Sequence, residues 1–423
     1  MTRLGLLALA FAVFLALAGV SPARADDTLT GDWGGARSGL ETRGLSLDLQ
    51  ATYTYQGVVR GGFDGPFFDL FSDEGDEGRT LSGNLALSLD TEKAGLWWGG
   101  ALDAKLQGRT WRSVLQRAGT VASVNDDALY PNVVDRFDES ALALTELVYT
   151  QAISETIWLY AGLLDGAQGD ENELLGSAVS DSKFLNSAIL YSLVENSTVP
   201  NVSLGAGIEF APSDAISGSL SVFASEESAG GDPFAHSEGR TFSTEWTFAH
   251  ALRGLGGAQT FGFLYGVDLE RANLDASSTL ILDSILLGQP TPTTSEDTWA
   301  FYYNAHQYLH GDESDGFGIA LRFGLSNGDP NPVKWNLTLG LGGTGLLPGR
   351  DHDTWGIGGF YLAMSNLEFL QALDVNDELG AELFYNIALT PWLHVTLDAQ
   401  VIDSALPRVD TTWMLAGRAH VNF

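Results

Sequence analysis

The chain contains no cysteine among its 423 residues. No disulfide can form, so an exported fold built from it must be held by other means. Positive charge is scarce as well. Lys and Arg total 21 against 54 Asp and Glu, a net charge of −33. Nucleic acid is not an expected partner for so anionic a chain. Long apolar runs are missing after the first twenty residues, so no second helical membrane span is predicted. What is present does not describe a disordered chain. There are 50 glycines, aromatics make up 11%, and the mean hydropathy is +0.03. Disorder goes with fewer aromatics and a more polar composition.

The one long apolar run, residues 4–20, follows Arg3 and precedes the small-x-small triplet Ala23-Arg24-Ala25. That pattern predicts a signal peptide over residues 1–25, cleaved before Asp26. The leader carries Arg3 and Arg24 but no acidic residue, so the mature chain keeps 19 basic residues against 54 acidic ones, a net charge of −35. An exported, acidic chain rich in glycine and aromatics, with no cysteine, fits a β-barrel of the bacterial outer membrane. The alternative is an exported soluble β-protein.

The end of the chain points the same way. Trp413, Leu415, Gly417, Ala419, Val421 and Phe423 alternate with Met414, Ala416, Arg418, His420 and Asn422. Alternate residues of a strand face opposite sides. This strand therefore offers one apolar and one more polar face up to the last residue. Termini usually fray; one that stops inside an amphipathic strand suits a barrel whose last strand closes on its first. The first strand has the same character. Leu45, Leu47, Leu49, Ala51, Tyr53 and Tyr55 alternate with Ser46, Asp48, Gln50, Thr52, Thr54 and Gln56. Strands of soluble sheets typically run about 5–6 residues, and this one is twice that.

Further strands are predicted at 81–90, 96–109, 141–151, 156–164, 204–210, 216–224, 242–248, 261–269, 298–308, 317–326, 333–342, 354–365, 378–389, 392–402 and 412–423. Tight turns at Thr390-Pro391 and at 212–214 alternate with long connections at 57–78, 110–140, 165–202, 226–240 and 270–297. Short turns on one side and long loops on the other are the outer-membrane arrangement. Ahead of the barrel, residues 26–44 form a periplasmic segment with a short helix over about 33–42, capped by Asp32 and stopped by Gly44. The predicted fold is all-β: a transmembrane antiparallel β-barrel of about 16 strands over residues 45–423, with a short N-terminal helix.

A barrel of that size leaves a water-filled lumen. The polar faces of the predicted strands supply its wall, with charges of both signs and with Glu209, Asp268 and Asn386 among them. Trp158 and Tyr160 fall at inward or loop positions. Aromatic rings stack on the C–H faces of a sugar, while carboxylates and guanidinium groups read its hydroxyls. The candidate pore-lining and substrate-binding residues are Asp48, Asp103, Lys105, Arg109, Trp111, Glu245, Arg322, Glu382 and Arg418. The simpler reading of each is a solvated wall position. Pro348-Gly349 reads as a turn, with Arg350 bracing it against Asp353.

Catalytic and metal-binding patterns are missing. His306 and His310 are four residues apart on a strand, roughly 13 Å, too far for one ion. No G-x-S-x-G, H-E-x-x-H or P-loop pattern occurs. No enzyme activity, metal or cofactor is expected. The acidic cluster Asp69, Asp73, Glu74, Asp76 and Glu77 reads as a solvated loop rather than a cation site.

Three stretches carry a family likeness: LTGDWGGARSGLETRG at 29–44, NGDPNPVKWNLTLGLGGTGLLPGRDHDTWGIG at 327–358, and ELFYNIALTPWLHVTLDAQVI at 382–402. Together they resemble the carbohydrate-selective porins of the bacterial outer membrane, the OprB-type family. The match departs at 403–407, where DSALP stands in place of an Asn-Pro-Gly turn. The resemblance implies a channel that passes glucose and other small sugars across the outer membrane by diffusion. Its other implied partners are outer-membrane lipids and lipopolysaccharide, and the barrel-assembly machinery acting on the strand that ends at Phe423. Monomer and homotrimer both stay open. The alternative is a general or cation-preferring porin, if Arg109, Arg322 and Arg418 point away from the constriction.

Overall fold

The computed structural model describes residues 28–63, 75–129, 131, 140–166, 169–178, 182–225, 227–232, 234, 239–276 and 293–423, the side chains of Trp111 and Arg112 excepted. The expected signal peptide and most of the acidic cluster at 69–77 lie outside the described residues.

Sixteen strands form one closed antiparallel sheet. They are β1 (Leu45–Gly62), β2 (Glu77–Asp90), β3 (Gly100–Arg112), β4 (Ala141–Ser154), β5 (Ile157–Asp165), β6 (Val202–Ser213), β7 (Ile216–Ala224) and β8 (Arg240–Leu252). The second half comprises β9 (Leu255–Ala272), β10 (Thr293–His310), β11 (Phe317–Ser326), β12 (Val333–Thr344), β13 (Thr354–Met364), β14 (Glu378–Thr390), β15 (Leu393–Asp403) and β16 (Asp410–Asn422). Each pairs with its sequence neighbours, and β1 closes on β16 from Gln50↔Asn422 to Gly62↔Asp410. Closure removes the free edge, which hydrocarbon would leave unsatisfied at several kcal/mol per polar group.

The alternation decides which face meets what. Leu49, Tyr53 and Tyr55 of β1, Phe261 and Phe263 of β9, Leu339 of β12, and Trp413 and Leu415 of β16 are exposed on the outside. Thr52, Thr54, Met414, Ala416 and Arg418, from the opposite faces of β1 and β16, are buried inside. A continuous apolar belt is a liability in water and the favoured surface against lipid. Among the described residues no helix is long and apolar enough to cross a membrane.

The helix before the barrel, α1 (Ala36–Glu41), is shorter than the sequence predicts. Trp33, Gly34 and Gly35 have φ of 50°, 68° and 95°, so the helix cannot start before Ala36. Asp32 does not cap at 33; its carboxylate accepts from Ser38 N at 2.8 Å and from Ser38 Oγ. Arg37 ties α1 to the closure point, donating to Leu47 O at 2.9 Å and to Phe423 O at 2.7 Å.

Three strand details also differ. β3 begins at Gly100, leaving Leu96 and Trp98 in the preceding turn. Between β3 and β4 the register jumps from Lys105↔Glu146 to Leu106↔Leu144, so Thr145 is an extra residue. That bulge swaps the outward set from Leu142 and Leu144 to Leu147 and Tyr149, which is why β4 looks weak in the sequence. Near the end of β9, Asp268 has φ of 52° and Leu269 is buried in its stead. Asp268 is therefore not the inward residue its parity predicted.

The interior is only partly open. Two long connections, seen at residues 113–129 and at 169–178 and 182–201, fold inward and pack on the inner face of β10–β16 and β1. Wall glycines make room for them. A Cβ on Gly318 would meet Leu174 Cδ1 at 2.8 Å, one on Gly324 would meet Val194 Cγ2 at 2.6 Å, and one on Gly356 would meet Phe184 Cζ at 2.8 Å. Phe184 also meets Phe384 edge-on, with centroids 4.7 Å apart. These contacts make the main apolar core of the molecule, and it lies inside the barrel on one side.

The 345–353 turn is clamped as expected. Arg350 donates to both oxygens of Asp353 at 2.8 and 2.7 Å, and Tyr385 and Ala388 N complete the carboxylate's partners. The carboxylate holds the guanidinium above its ordinary pKa.

Candidate functional site in the lumen

The inner segments carry backbone groups that need partners away from water. Polar wall residues supply them. Arg322 of β11 is fully buried. It donates to Asp170 O at 2.6 Å, to Gly176 O at 2.7 Å and to Ile189 O, and its Nε lies 3.2 Å from the Asp170 carboxylate. Glu382 of β14 accepts from Leu185 N at 2.5 Å and Asn186 N at 2.9 Å. Arg418 of β16 donates to Lys183 O at 2.6 Å. Glu378 accepts from Val121 N and Ala122 N at 2.7 and 2.9 Å. Gln56 and Gln400, from β1 and β15, both donate to Val124 O. Three of the predicted lining residues, Arg322, Glu382 and Arg418, thus face inward but end on protein.

The opposite wall is different. A cavity of about 400 Å³ runs along β3–β10. Its carboxylates are Asp103, Glu146, Asp165, Glu195, Glu209 and Glu245, and its hydroxyls include Thr150, Ser219, Ser221 and Ser243. Tyr160 and Tyr302 line it too. Each ring lies over a glycine of the neighbouring strand, Gly207 and Gly262 respectively, where any side chain would collide with it. Tyr302 donates its hydroxyl to Glu245, which also accepts from Asp170 N at 3.3 Å. Lys105 Nζ sits 3.4 Å from Asp165 Oδ2 and stands opposite Glu146 in register. Asp103 accepts from Ser88 Oγ at 2.5 Å.

This cavity shares Gly166, Gly169, Glu195 and Val199 with a narrow one of about 40 Å³, which is also bounded by Asp126 and Tyr191. Toward the short turns it shares Thr150 with a wider space of about 600 Å³ that includes Trp158.

Of the predicted set, Asp103 and Glu245 line the open side, and Lys105 reaches it through Asp165. Arg109 is buried on the inner face of β3. Asp48 is exposed near the start of β1, on the face of Thr52. Trp111 belongs to β3, with its side chain outside the described residues. Sequence reasoning missed Glu146, hidden by the bulge at Thr145. It also missed Asp165 and Glu195, at and beyond the end of β5 where no periodicity exists, and Tyr302, whose parity could have nominated it.

A family profile described as carbohydrate-selective porin, OprB family, matches residues 83–423. Among solved structures the chain is similar to the high-pH structure of Pseudomonas putida OprB, with TM-score 0.76 and 18% identity over 95% of this chain and 99% of that one. The low-pH structure of the same protein gives TM-score 0.57 and 17% identity over 96% and 100%. The outer membrane channel DcaP of Acinetobacter baumannii gives 0.51 and 8% over 90% and 97%. At such identities these structures speak for the fold. No curated protein sequence matches the chain. With the profile running from β2 to the last residue of a closed barrel, this chain belongs to the carbohydrate-selective porins of the bacterial outer membrane, the OprB family.

Proposed function

We propose that the protein lets small sugars, glucose among them, diffuse passively along the open side of its lumen. The observation that carries this reading is the cavity on β3–β10, where tyrosine rings stand beside hydroxyls and carboxylates. A sugar offers apolar C–H faces and a rim of hydroxyls, so it needs both kinds of surface within one ring width. In this reading Asp103 and Glu245 accept hydroxyl protons, Lys105 donates, and Tyr160 and Tyr302 take the ring face. Asp48 and Arg109 line the wall. Arg322, Glu382 and Arg418 serve the channel by holding the inner segments in place. No reaction and no cofactor enters.

The remaining partners follow from position. The apolar belt meets membrane lipid and lipopolysaccharide. The C-terminal strand would be read by the assembly machinery before closure, since Phe423 N is already bonded to Leu49 O at 2.8 Å in the closed barrel. Swelling of protein-loaded liposomes in glucose, a disaccharide and a neutral amino acid of equal size tests the sugar reading. Glucose should enter faster than the amino acid, and Tyr302→Ala should erase that advantage. Entry ordered by size alone would leave a barrel without sugar selectivity.

A further inference from the structure

We propose that the conduit holds a second sugar subsite at its periplasmic mouth, where a pyranose ring stacks on Trp158 and is met by Glu209, Thr150 and Ser219. The proposal rests on the sugar-conducting reading above. It adds the step by which the solute leaves the cavity of Tyr160 and Tyr302.

The mouth lies on the side of the short turns, which in an outer-membrane barrel is the periplasmic side. The inner faces of β1–β5 enclose a space of about 600 Å³ there. Ser46, Ser88, Ala101, Thr150 and Ala152 give it small side chains, and Trp158 is the one aromatic ring among its lining residues. Trp158 and Tyr160 are alternate residues of β5, so they share its inner face, about 7 Å apart along the strand. Tyr160 is held in place: its hydroxyl lies 2.5 Å from Ser221 Oγ, and its ring covers Gly207. Thr150 lines both this space and the 400 Å³ cavity, so the path between them is continuous. A sugar that leaves Tyr160 toward the short turns meets the indole next.

A second observation concerns the polar groups around that indole. Trp158 stands in register between Ala152 of β4 and Glu209 of β6, and Glu209 stands opposite Ser219 of β7. Thr150 is its diagonal neighbour, paired with Tyr160. Directly opposed residues hold their Cβ atoms about 4.5–5.5 Å apart. Among the described residues, no hydrogen bond or ion pair engages the Trp158 indole N–H, the Glu209 carboxylate or the Thr150 and Ser219 hydroxyls. No aromatic ring packs on the indole either. The opposite wall behaves otherwise, since Arg322, Glu378, Glu382 and Arg418 all end on the inner segments. Trp158 is half-buried, and a tryptophan so placed usually finds a partner for its N–H. Its apolar face meets water, and a stacked C–H face would remove that contact. One donor, one carboxylate acceptor and two hydroxyls around a flat apolar ring match the surface of a sugar.

The test is fluorine NMR of the whole barrel labelled with fluorotryptophan, in detergent micelles. It is titrated with glucose and, separately, with the neutral amino acid of equal size. The resonance missing from Trp158→Phe belongs to Trp158; Trp158→Tyr serves if Phe impairs assembly. Glucose should move that resonance saturably, and the amino acid should not. Glu209→Ala, at a solvent-exposed position, should raise the half-saturating glucose concentration several-fold. Tyr302→Ala should leave the movement in place. Its loss in that variant would mean that the indole only senses a sugar bound at Tyr302, and would overturn the second subsite. A resonance indifferent to glucose, or moved equally by both solutes, would overturn it as well. Liposome swelling keeps the two readings apart. Glucose entry still ahead of the amino acid would leave the sugar reading intact when the subsite fails, whereas entry ordered by size alone is what removes that reading.

Discussion

Arg322 shows how an inward-facing charge can be structural. It is legible in the sequence as a polar residue on the inner parity of β11. Its partners are not, because Asp170, Gly176 and Ile189 come from a connection with no periodicity, some 130–150 residues earlier in the chain. By contrast the Arg350–Asp353 clamp is three residues long and readable at once. Replacing Arg322 by Met leaves the Asp170 carboxylate buried without its cation. Breaking one partner of a buried pair costs about 3–5 kcal/mol. We therefore expect Arg322→Met to lower unfolding stability in detergent by that amount. Adding Asp170→Leu should recover part of the loss. A loss below about 1 kcal/mol would mean the pair behaves like an exposed one and the anchoring role is wrong.

The elements were read unevenly, and the reason is physical. A strand with lipid on one face and water on the other must alternate, so β1, β2, β11 and β16 could be drawn from the sequence within a few residues. Where a bulge shifts the parity, as at Thr145 and Asp268, the pattern fails although the strand continues. The inner segments follow neither the strand nor the helix period; they read only as long loops, although with the wall they form the larger apolar cluster among the described residues. Wall glycines that receive them were counted but not placed. Gly356→Leu should collide with Phe184 and Phe384. Overpacking of this kind costs about 1–3 kcal/mol, and a displaced segment should become cleavable by protease near residue 184 while the barrel stays intact on a gel. Uncleaved protein of ordinary stability would show that the wall can absorb the side chain. At the closure point, α1 gives a cleaner case. Arg37→Ala removes the bonds to Leu47 O and Phe423 O, and hydrogen bonds to a charged group contribute about 1.5–3 kcal/mol each. The melting temperature should fall, with glucose entry unaltered, since Arg37 lines neither the 400 Å³ cavity nor the wider space beside it. A loss of transport at unchanged stability would contradict this.

At the scale of the whole molecule, the medium outside the barrel decides the sign of a substitution. Leu339 sits midway along β12 and Leu252 ends β8 beside a tight turn; their exposures are alike, 54% and 58%. A soluble protein would treat both alike, and an arginine at either would be near neutral or would improve solubility. Across a bilayer the two positions differ in depth. An arginine facing lipid at the midplane costs about 2–4 kcal/mol, whereas one at the interface costs about 0–1. Leu252 also lies where a long side chain can reach the headgroups. We expect Leu339→Arg to destabilise folding into phospholipid vesicles by about 2–4 kcal/mol, measured by denaturant titration, and Leu252→Arg by less than about 1. Equal effects would mean that depth is not what distinguishes these positions. The contrast reads the membrane through the protein's own outer face, without reference to what passes through the lumen. It therefore tests the barrel's setting independently of its substrate.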